Sequence, residues 1–596
     1  SLQMIELASK IEKKFIVNID VTSLYNYSTV QELEKYITER QEKSLNEMSI
    51  KNKGSTKIAV IGISGLFPKN LEFDEFYEAI KGGRDFVSNF PQNRKEKIGY
   101  SNQDTIISGG YFDDIEYFDS LFFGISPREA MYMSYEQKFA LMYVWKLIEN
   151  SGYTKESLDN KNISVFIGVG DKYSHLDSAD ENGKDLEYKK LGSDTAMVAA
   201  RISYFFNWHG SCMAVNTACS SSLLAIDLAY KSIINDGADY AIAGGMNIIT
   251  SKQFFEHTKS LGMFATNGDC FPFDDRASGI VPGEAIGFVL LKPLQKAVDD
   301  HDYIYAIIDG TYSNQDGRSN GITAPNGMAQ ERLIKSNLLQ THIKPEEIKY
   351  VEAHGTGTKL GDPIEFKSLV NVFNVKERWS YCALGSIKAN LGHTIAAAGI
   401  VSFIKACMCL KGNYLVPQIK FNVPNKFINM IESPFYVNTS LERLTPEDRN
   451  IICINSFGYS GTNVNVLVEN YSRQDSYEAM DQKYYFFPIT AKTLNAYWKQ
   501  IENLYKYLRV NQFNIADISY TLQMGRSHLK NYRKVFIAKT VQELIKKLDF
   551  YFHAHKFNNN DLGADAISDE IKEKIKCVED GEQIDWKDIT IQEGRK

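Results

Sequence analysis

The apolar positions of this chain switch between two spacings, and the switches mark its elements. Ile58, Val60 and Ile61 predict a short buried strand, broken by Gly62, Gly65 and Pro68. Met213 to Val215 predicts another. From Leu223 the spacing becomes helical, through Leu224, Ala225, Ile226, Leu228 and Ala229 to Asp236-Gly237. Tyr240 to Met246 (YAIAGGM) reads as a buried strand closed by two glycines. Near the start, Met4, Ala8, Ile11 and Phe15 fall at helical spacing with charge on the other face. Ser28-Thr29-Val30-Gln31 reads as a capping box before a short helix ending near Ile37. Residues 41–56 are polar and Lys-rich, the pattern of a linker. Beyond residue 471, Leu494, Trp498, Ile501, Leu504 and Leu508 predict a helix, Ile518 to Arg526 a strand and Val535 to Leu548 a helix.

The stretch Val215 to Ile226, VNTACSSSLLAI, sets Cys219 among Ala218, Ser220, Ser221 and Ser222 at the strand-to-helix switch. A sulfur at a helix N-terminus is favoured as thiolate, and small neighbours leave room for a substrate. A lone cysteine is more often a buried core residue, but two histidine motifs reverse that weighting: Glu352 to Thr358 (EAHGTGT) and Lys388 to His393 (KANLGH). The glycines of Lys57 to Pro68 are followed by neither GxGxxG nor GK[ST], which excludes a nucleotide loop. A length of 596 residues exceeds one ordinary domain. Hydrophobic and charged contents of 43% and 24% are those of a soluble globular protein. A net charge of -7 gives no reason to expect nucleic acid or an anionic membrane. The 8 cysteines form no metal-type pairs, so a reducing, cytoplasmic setting is expected. SLQMIELASKIEKK has no secretory pattern. Charge interrupts the apolar runs, as at Lys405, and no membrane span is expected.

TACSSS, HGTGT and KANLGH, with KIAVIGISGLFP (57–68), FFGISP (122–127), Val281-Pro282-Gly283-Glu284, NQDGRSNGITAPN (314–326) and NSFGYSGTN (455–463), resemble the β-ketoacyl synthase (ketosynthase) domains of modular polyketide synthases over residues 57–470. The resemblance implies an α/β, thiolase-like fold of two related halves in a five-layer αβαβα arrangement, and a homodimer. It implies that Cys219 carries the acyl chain, that His354 and His393 hold an enolate, and that Lys388 sets the field around His393. The amides of Cys219 and Tyr459 would form the oxyanion hole, Phe457 and Tyr459 would gate the pocket, and Thr356 and Thr358 would bind a pantetheine arm. No metal and no cofactor of the ketosynthase itself is implied; phosphopantetheine sits on partner carrier proteins. The residue types suit the chemistry. A cysteine both attacks and leaves well, and two imidazoles on one carbonyl oxygen do for an enolate what a metal otherwise would. The chain departs from the family at Met133 to Lys138, where Met-Asp-Pro-x-x-Arg is usual, at Tyr459, at Asn465 in place of His, and at Ile395 in place of Glu.

Residues 1–40 resemble the C-terminal part of an acyl carrier protein, with Ser1 as the phosphopantetheine-bearing serine, and 41–56 follow as linker. Residues 471–596 resemble the small α/β flanking subdomain of these synthases, with Tyr532, Arg533 and Lys534 expected on an exposed face. No GHSxG turn follows, and Gly581 to Ile589 (GEQIDWKDI) resembles a segment normally found after an acyltransferase. Together with Val-Pro-Gly-Glu, this places the resemblance among synthases whose acyltransferase is separate. The implied partners are acyl and malonyl carrier proteins and a trans-acting acyltransferase, with no nucleic acid or membrane. An elongating ketosynthase of secondary metabolism is the leading reading. A chain-transfer ketosynthase typically lacks the histidine that stands here as His354, and a non-catalytic scaffold lacks the cysteine.

Overall fold

The computed structural model describes residues 29–34, 57–101, 106–170, 185–319, 321–375, 378–472, 484–510, 513–554, 573 and 576. The chain divides into two compact units, Ser1–Thr56 and Lys57–Lys596. In the first, Thr29 is the cap, and Ser28 lies outside the described residues. Its hydroxyl accepts from the Glu32 N–H, and the Glu32 carboxylate accepts from the Thr29 N–H. A carboxylate at the third helical position completes the box, and Glu32, not Gln31, stands there. Ser1, the helix expected over 4–15, the linker 41–56 and the 581–589 segment lie outside the described residues.

The second unit is built on the strands β1 (Ile58–Phe67), β2 (Ile163–Gly168), β3 (Cys212–Val215), β4 (Tyr240–Asn247), β5 (Ala285–Pro293), β6 (Ala306–Gln315), β7 (Ile348–Glu352), β8 (Cys382–Gly385), β9 (Phe435–Val437), β10 (Ile451–Phe457) and β11 (Thr462–Glu469). They pair in the order β9-β8-β7-β10-β11-β6-β1-β5-β4-β2-β3. The order repeats. From β1, two antiparallel pairings (to β5, then β4) lead into two parallel ones (to β2, then β3). From β6, two antiparallel pairings (to β11, then β10) lead into parallel pairings to β7 and β8. β3 and β8 are therefore equivalent strands, and the nucleophile turn and the KANLGH turn follow them.

Helices α1 (Tyr135–Asn150) and α2 (Ala196–Phe206) cover the outer face of the first half, through Val144, Leu147, Val198 and Ile202. Helices α3 (Ser221–Asp236) and, in the second half, α7 (Ala398–Gly412) lie between the halves, where Leu223, Ile226, Ile400 and Ile404 join strand residues of both. α4 (Gly327–Thr341) and α5 (Gly361–Phe373) cover the far face through Ile334, Leu338, Leu369 and Phe373. α6 (Lys388–Leu391) is the single turn that precedes His393. The result is the expected five-layer αβαβα fold. Ile395–Gly412 is long and apolar enough to cross a membrane, but 83% of it is buried inside the protein, as the middle layer demands.

β1 is ten residues long, and Gly62 and Gly65 do not break it. They serve close packing: a Cβ on Gly62 would lie 2.9 Å from Ser151 Cβ, and one on Gly65 2.8 Å from the Ile286 carbonyl. A bulge between Val60 and Gly62 shifts which alternate residues face the middle layer.

The flanking part forms its own core from the antiparallel pair β12 (Tyr485–Ala491) and β13 (Tyr532–Ala538) with helices α8 (Leu494–Val510), α9 (Ile515–Met524) and α10 (Val541–Ala554). The segment 518–524, expected as strand, is helix: Asn514 caps it, and Ile515, Ile518 and Leu522 fall at helical spacing. The expected helix from Val535 begins instead as strand and becomes helix at Val541. Arg533 and Lys534, expected exposed, are buried, and Tyr532 is half-buried. The sequence pattern marks charge, not the helices packed over β13; the Lys534 ammonium lies 5.3 Å from the Tyr551 ring centre. This part docks on the first half. Lys492 Nζ donates to the Phe122 carbonyl (2.7 Å), Arg526 to the Glu149 carbonyl at the end of α1 (2.7 Å), and Ser527 to Glu156 (2.7 Å).

Candidate active site

The nucleophile turn is tied by its own small polar side chains. Asn216 Oδ1 accepts from the Ala218 N–H (3.1 Å), and Ser221 Oγ accepts from the Thr217 N–H (2.9 Å) and donates to the Ala218 carbonyl (2.6 Å). Ala218 has φ +57°, a left-handed conformation uncommon for a residue with a Cβ. Cys219 therefore sits in a separate 3-10 turn, Ala218–Ser220, just before α3 rather than on its first residue. From the second half, Ser456 Oγ at the end of β10 donates to the Cys219 carbonyl (2.8 Å).

His354 follows β7. Its N–H and that of Gly355 donate to the two Glu365 oxygens, 2.8 Å each, and its carbonyl accepts from Lys388 Nζ at 2.5 Å. Its Nδ1 is buried without a hydrogen-bond partner among the described residues. His393 follows α6 and Gly392, whose φ of +78° turns the chain. The His393 N–H donates to the Val281 carbonyl (2.6 Å), and the Gly283 N–H returns a bond to the His393 carbonyl (3.0 Å), so the Val-Pro-Gly-Glu segment holds it. Nδ1 of His393 accepts the Ile395 N–H at 3.1 Å. In a neutral ring this leaves the proton on Nε2 as a donor.

The structure brings all three together. The Cys219 sulfur and one nitrogen from each imidazole lie within 4.8 Å of one another. Such a trio can also suggest a metal. The Ile395 amide argues otherwise, since a nitrogen carrying the proton has no lone pair for a cation. The imidazoles meet edge to face with centres 5.6 Å apart, and Phe457 packs 5.7 Å from His354.

Burial first, then the Lys388 charge, holds both histidines well below their ordinary pKa, so both are neutral at pH 7. Burial likewise lowers Lys388, against the raising effect of Glu352 and Glu365. The Cys219 thiol is pushed up to about 11 by burial, although Lys388 and the amides of Tyr459 and Cys219 itself pull it down. The expectation that the helix end would favour the thiolate at rest is corrected: in this 5% exposed position desolvation outweighs the dipole.

Thr356 and Thr358, half-buried, have hydroxyls 3.1 Å apart, beside exposed Lys359 and Leu360. Tyr459 is 44% exposed, while Phe457 is buried, so the two expected gate residues lie at different depths. Asn465 bonds Asn337 (2.7 Å) and Asn455 (2.8 Å) inside the strand layer. Gln137, within the departing 133–138 segment, donates to the carbonyls of Leu191 and Gly192, 2.9 and 3.0 Å. Sequence reading missed Asp362 and Glu365, whose carboxyls burial raises to about 6 and about 7. They carry the HGTGT loop, with Asp362 accepting from Phe273 and Gly357. The signal was present: they precede Phe366, Leu369 and Phe373 at helical spacing, which puts two carboxylates on an apolar face.

A buried thiol facing two imidazoles, at strand ends of a duplicated αβαβα fold, places the chain in the thiolase-like class. The models "Beta-ketoacyl synthase, N-terminal domain" and "C-terminal domain" match residues 55–297 and 305–422. "CurL-like, PKS C-terminal" matches 485–548, and "Phosphopantetheine attachment site" 1–37. The chain belongs to the β-ketoacyl synthase family and is a polyketide synthase ketosynthase, a transferase. It is 36% identical over 510 residues to Polyketide synthase PksL of Bacillus subtilis, covering 83% of this chain and 11% of PksL. It is 31% identical over 649 residues to PksM of the same organism, covering 99% of this chain and 15% of PksM. It thus spans only a small part of these relatives. Among solved structures, the ketosynthase from module 6 of the bacillaene synthase of Bacillus subtilis 168 aligns with a TM-score of 0.80 at 33% identity, over 90% of this chain and 97% of that one. Ketosynthase twelve of the bacillaene synthase of Bacillus amyloliquefaciens aligns with a TM-score of 0.79 at 30% identity, over 91% and 97%.

Proposed function

We propose that this is an elongating ketosynthase: it takes an acyl chain from a carrier protein onto Cys219 and extends it by decarboxylative Claisen condensation with malonyl carrier protein. The observation that carries the reading is the convergence of the Cys219 sulfur with His354 and His393 within 4.8 Å. In loading, Cys219 attacks the acyl thioester, the carrier thiol leaves with the proton, and the amides of Cys219 and Tyr459 hold the oxyanion. In condensation, the malonyl C–C bond breaks and releases carbon dioxide. The enolate oxygen takes hydrogen bonds from the histidines, and the enolate carbon attacks acyl-Cys219 to expel its thiolate. Thr356 and Thr358 receive the pantetheine arm, and Phe457 with Tyr459 gates the pocket. Ketosynthase residues 57–470, the flank 471–596 and the carrier end 1–40 with Ser1 as its attachment point are the working division of the chain.

The partners we propose are acyl and malonyl carrier proteins, a separate trans-acting acyltransferase, and a second copy of this chain. β3 ends the strand order with exposed Met213 (48%), near exposed Tyr204, and an unpaired edge of this kind favours pairing with its twin. Intact-protein mass spectrometry after incubation with acyl carriers tests the nucleophile. The acyl mass is expected on the Cys219 peptide, and loading that persists in Cys219→Ala overturns the assignment.

A further inference from the structure

We propose that the buried pair Glu352–Lys405 is the positioning element of the active-site lysine, fixing the Ile387–Lys388 step against the His354 strand and sustaining positive charge beside Cys219. This rests on the reading of Cys219 as the loaded nucleophile. Glu352 ends β7, two residues before His354. One of its oxygens accepts from the Ile387 N–H (2.8 Å) and Ser402 Oγ (3.4 Å). The other accepts from Lys405 Nζ (2.7 Å) and Tyr350 Oη (2.6 Å), and Lys405 also donates to that hydroxyl (2.8 Å). One carboxylate thus grips the His354 strand, the turn that opens α6 and the middle-layer helix α7. Glu352 and Lys405 are 0% and 3% exposed.

Stability does not account for such a pair, because apolar residues of similar volume in place of a buried ion pair are often neutral or stabilising. Its placement does. Ile387 adjoins Lys388, whose ammonium reaches the His354 carbonyl. Lys388 is faced by Glu352, Glu365, Cys270 and Cys219, and acts on both His354 and His393. Cys219 is faced by Lys388 and by the amides of Tyr459 and itself. Glu352 supports the charge on Lys388, and Lys388 supports the thiolate. Lys405 acts from the middle-layer helix α7, where its ammonium orients the Glu352 carboxylate.

The test compares wild type, Lys405→Met and the double variant Glu352→Gln with Lys405→Met, in which the amide still accepts from Ile387 and no charge is left unpaired. The readouts are the pH profile of Cys219 alkylation by iodoacetamide, mapped by peptide mass, and the acyl-loading rate against carrier concentration. In the double variant the profile is expected to move up by about one pH unit, which slows alkylation near pH 7 about tenfold. Loading slows with KM for the carrier unchanged. A folded double variant with the wild-type profile and rate overturns the proposal. So does one that fails to fold, since the pair then serves stability alone. If wild type loads at a residue other than Cys219, the nucleophile reading falls, while the Cys219 alkylation profile still tests the pair.

Discussion

At the residue scale, the three groups that converge in the candidate site were legible as motif residues, but their protonation was not. Cys219, His354 and His393 stand out in TACSSS, HGTGT and KANLGH, whereas the burial that sets their charge comes from layers closing around them. Cys219→Ala is expected to abolish acyl loading, while Cys212→Ala and Cys453→Ala load normally by intact mass. His354→Ala and His393→Ala are expected to load but to condense about 100- to 1,000-fold more slowly, the usual loss for one oxyanion donor. Near-wild-type condensation by either contradicts the assignment. With its thiol near 11, resting Cys219 should react with iodoacetamide at a rate that still climbs above pH 9; a plateau near pH 8 contradicts this. The histidines carry the opposite sign. Their folded pKa values are depressed, so the unfolded chain takes up protons first, and their contribution to stability is lost as pH falls below about 6.5. Urea unfolding between pH 7 and 5 should therefore depend on pH less steeply in His393→Gln than in wild type.

At the element scale, the apolar periodicity located α3 and β4 because each is buried in a way its own pattern reports; it placed β3 but misread its burial, since this edge strand buries Val215 and exposes Cys212 and Met213. It misread β1 and α9 because glycine and short apolar runs mean different things in different surroundings. In β1 Gly62 admits the end of α1 and Gly65 the backbone of β5, and in α9 the Asn514 cap decides between strand and helix. The site itself depends on how closely two elements approach. A Cβ on Gly458 would lie 2.4 Å from the Thr217 carbonyl and 2.8 Å from Ser220 Oγ. Gly458→Ala should therefore push the β10–β11 connection off the nucleophile turn and slow loading at least tenfold, with the far-UV spectrum unchanged. Loading at the wild-type rate would show that this contact does not shape the oxyanion hole. Helical spacing puts Asp362 and Glu365 on an apolar face, but their amide partners in the HGTGT loop, and the Lys405 and Ile387 partners of Glu352, are set by the fold and not by spacing.

At the scale of the whole molecule, the first half presents the turn after β3 and the second half the turns after β7 and β8, so neither half holds all of Cys219, His354 and His393. The duplication was legible only through the family resemblance, since the halves share topology and not motif. The edge position of β3 predicts that Met213→Lys shifts the protein from dimer to monomer in sedimentation; an unshifted dimer places the interface elsewhere. The flank bonds the C-terminal end of α1 through Arg526, and among the described residues it contributes no group to the Cys219 cluster, so we propose that it acts as a docked spacer. A sample of this chain alone is expected not to malonylate a carrier from malonyl-CoA. Extension is told from transfer by incubating the chain with acyl carrier and carboxyl-labelled malonyl carrier and following carrier mass and released label. An elongating enzyme releases one labelled carbon dioxide per β-ketoacyl carrier formed, and none with Cys219→Ala. Acyl groups that pass to a second carrier without release of label would contradict extension.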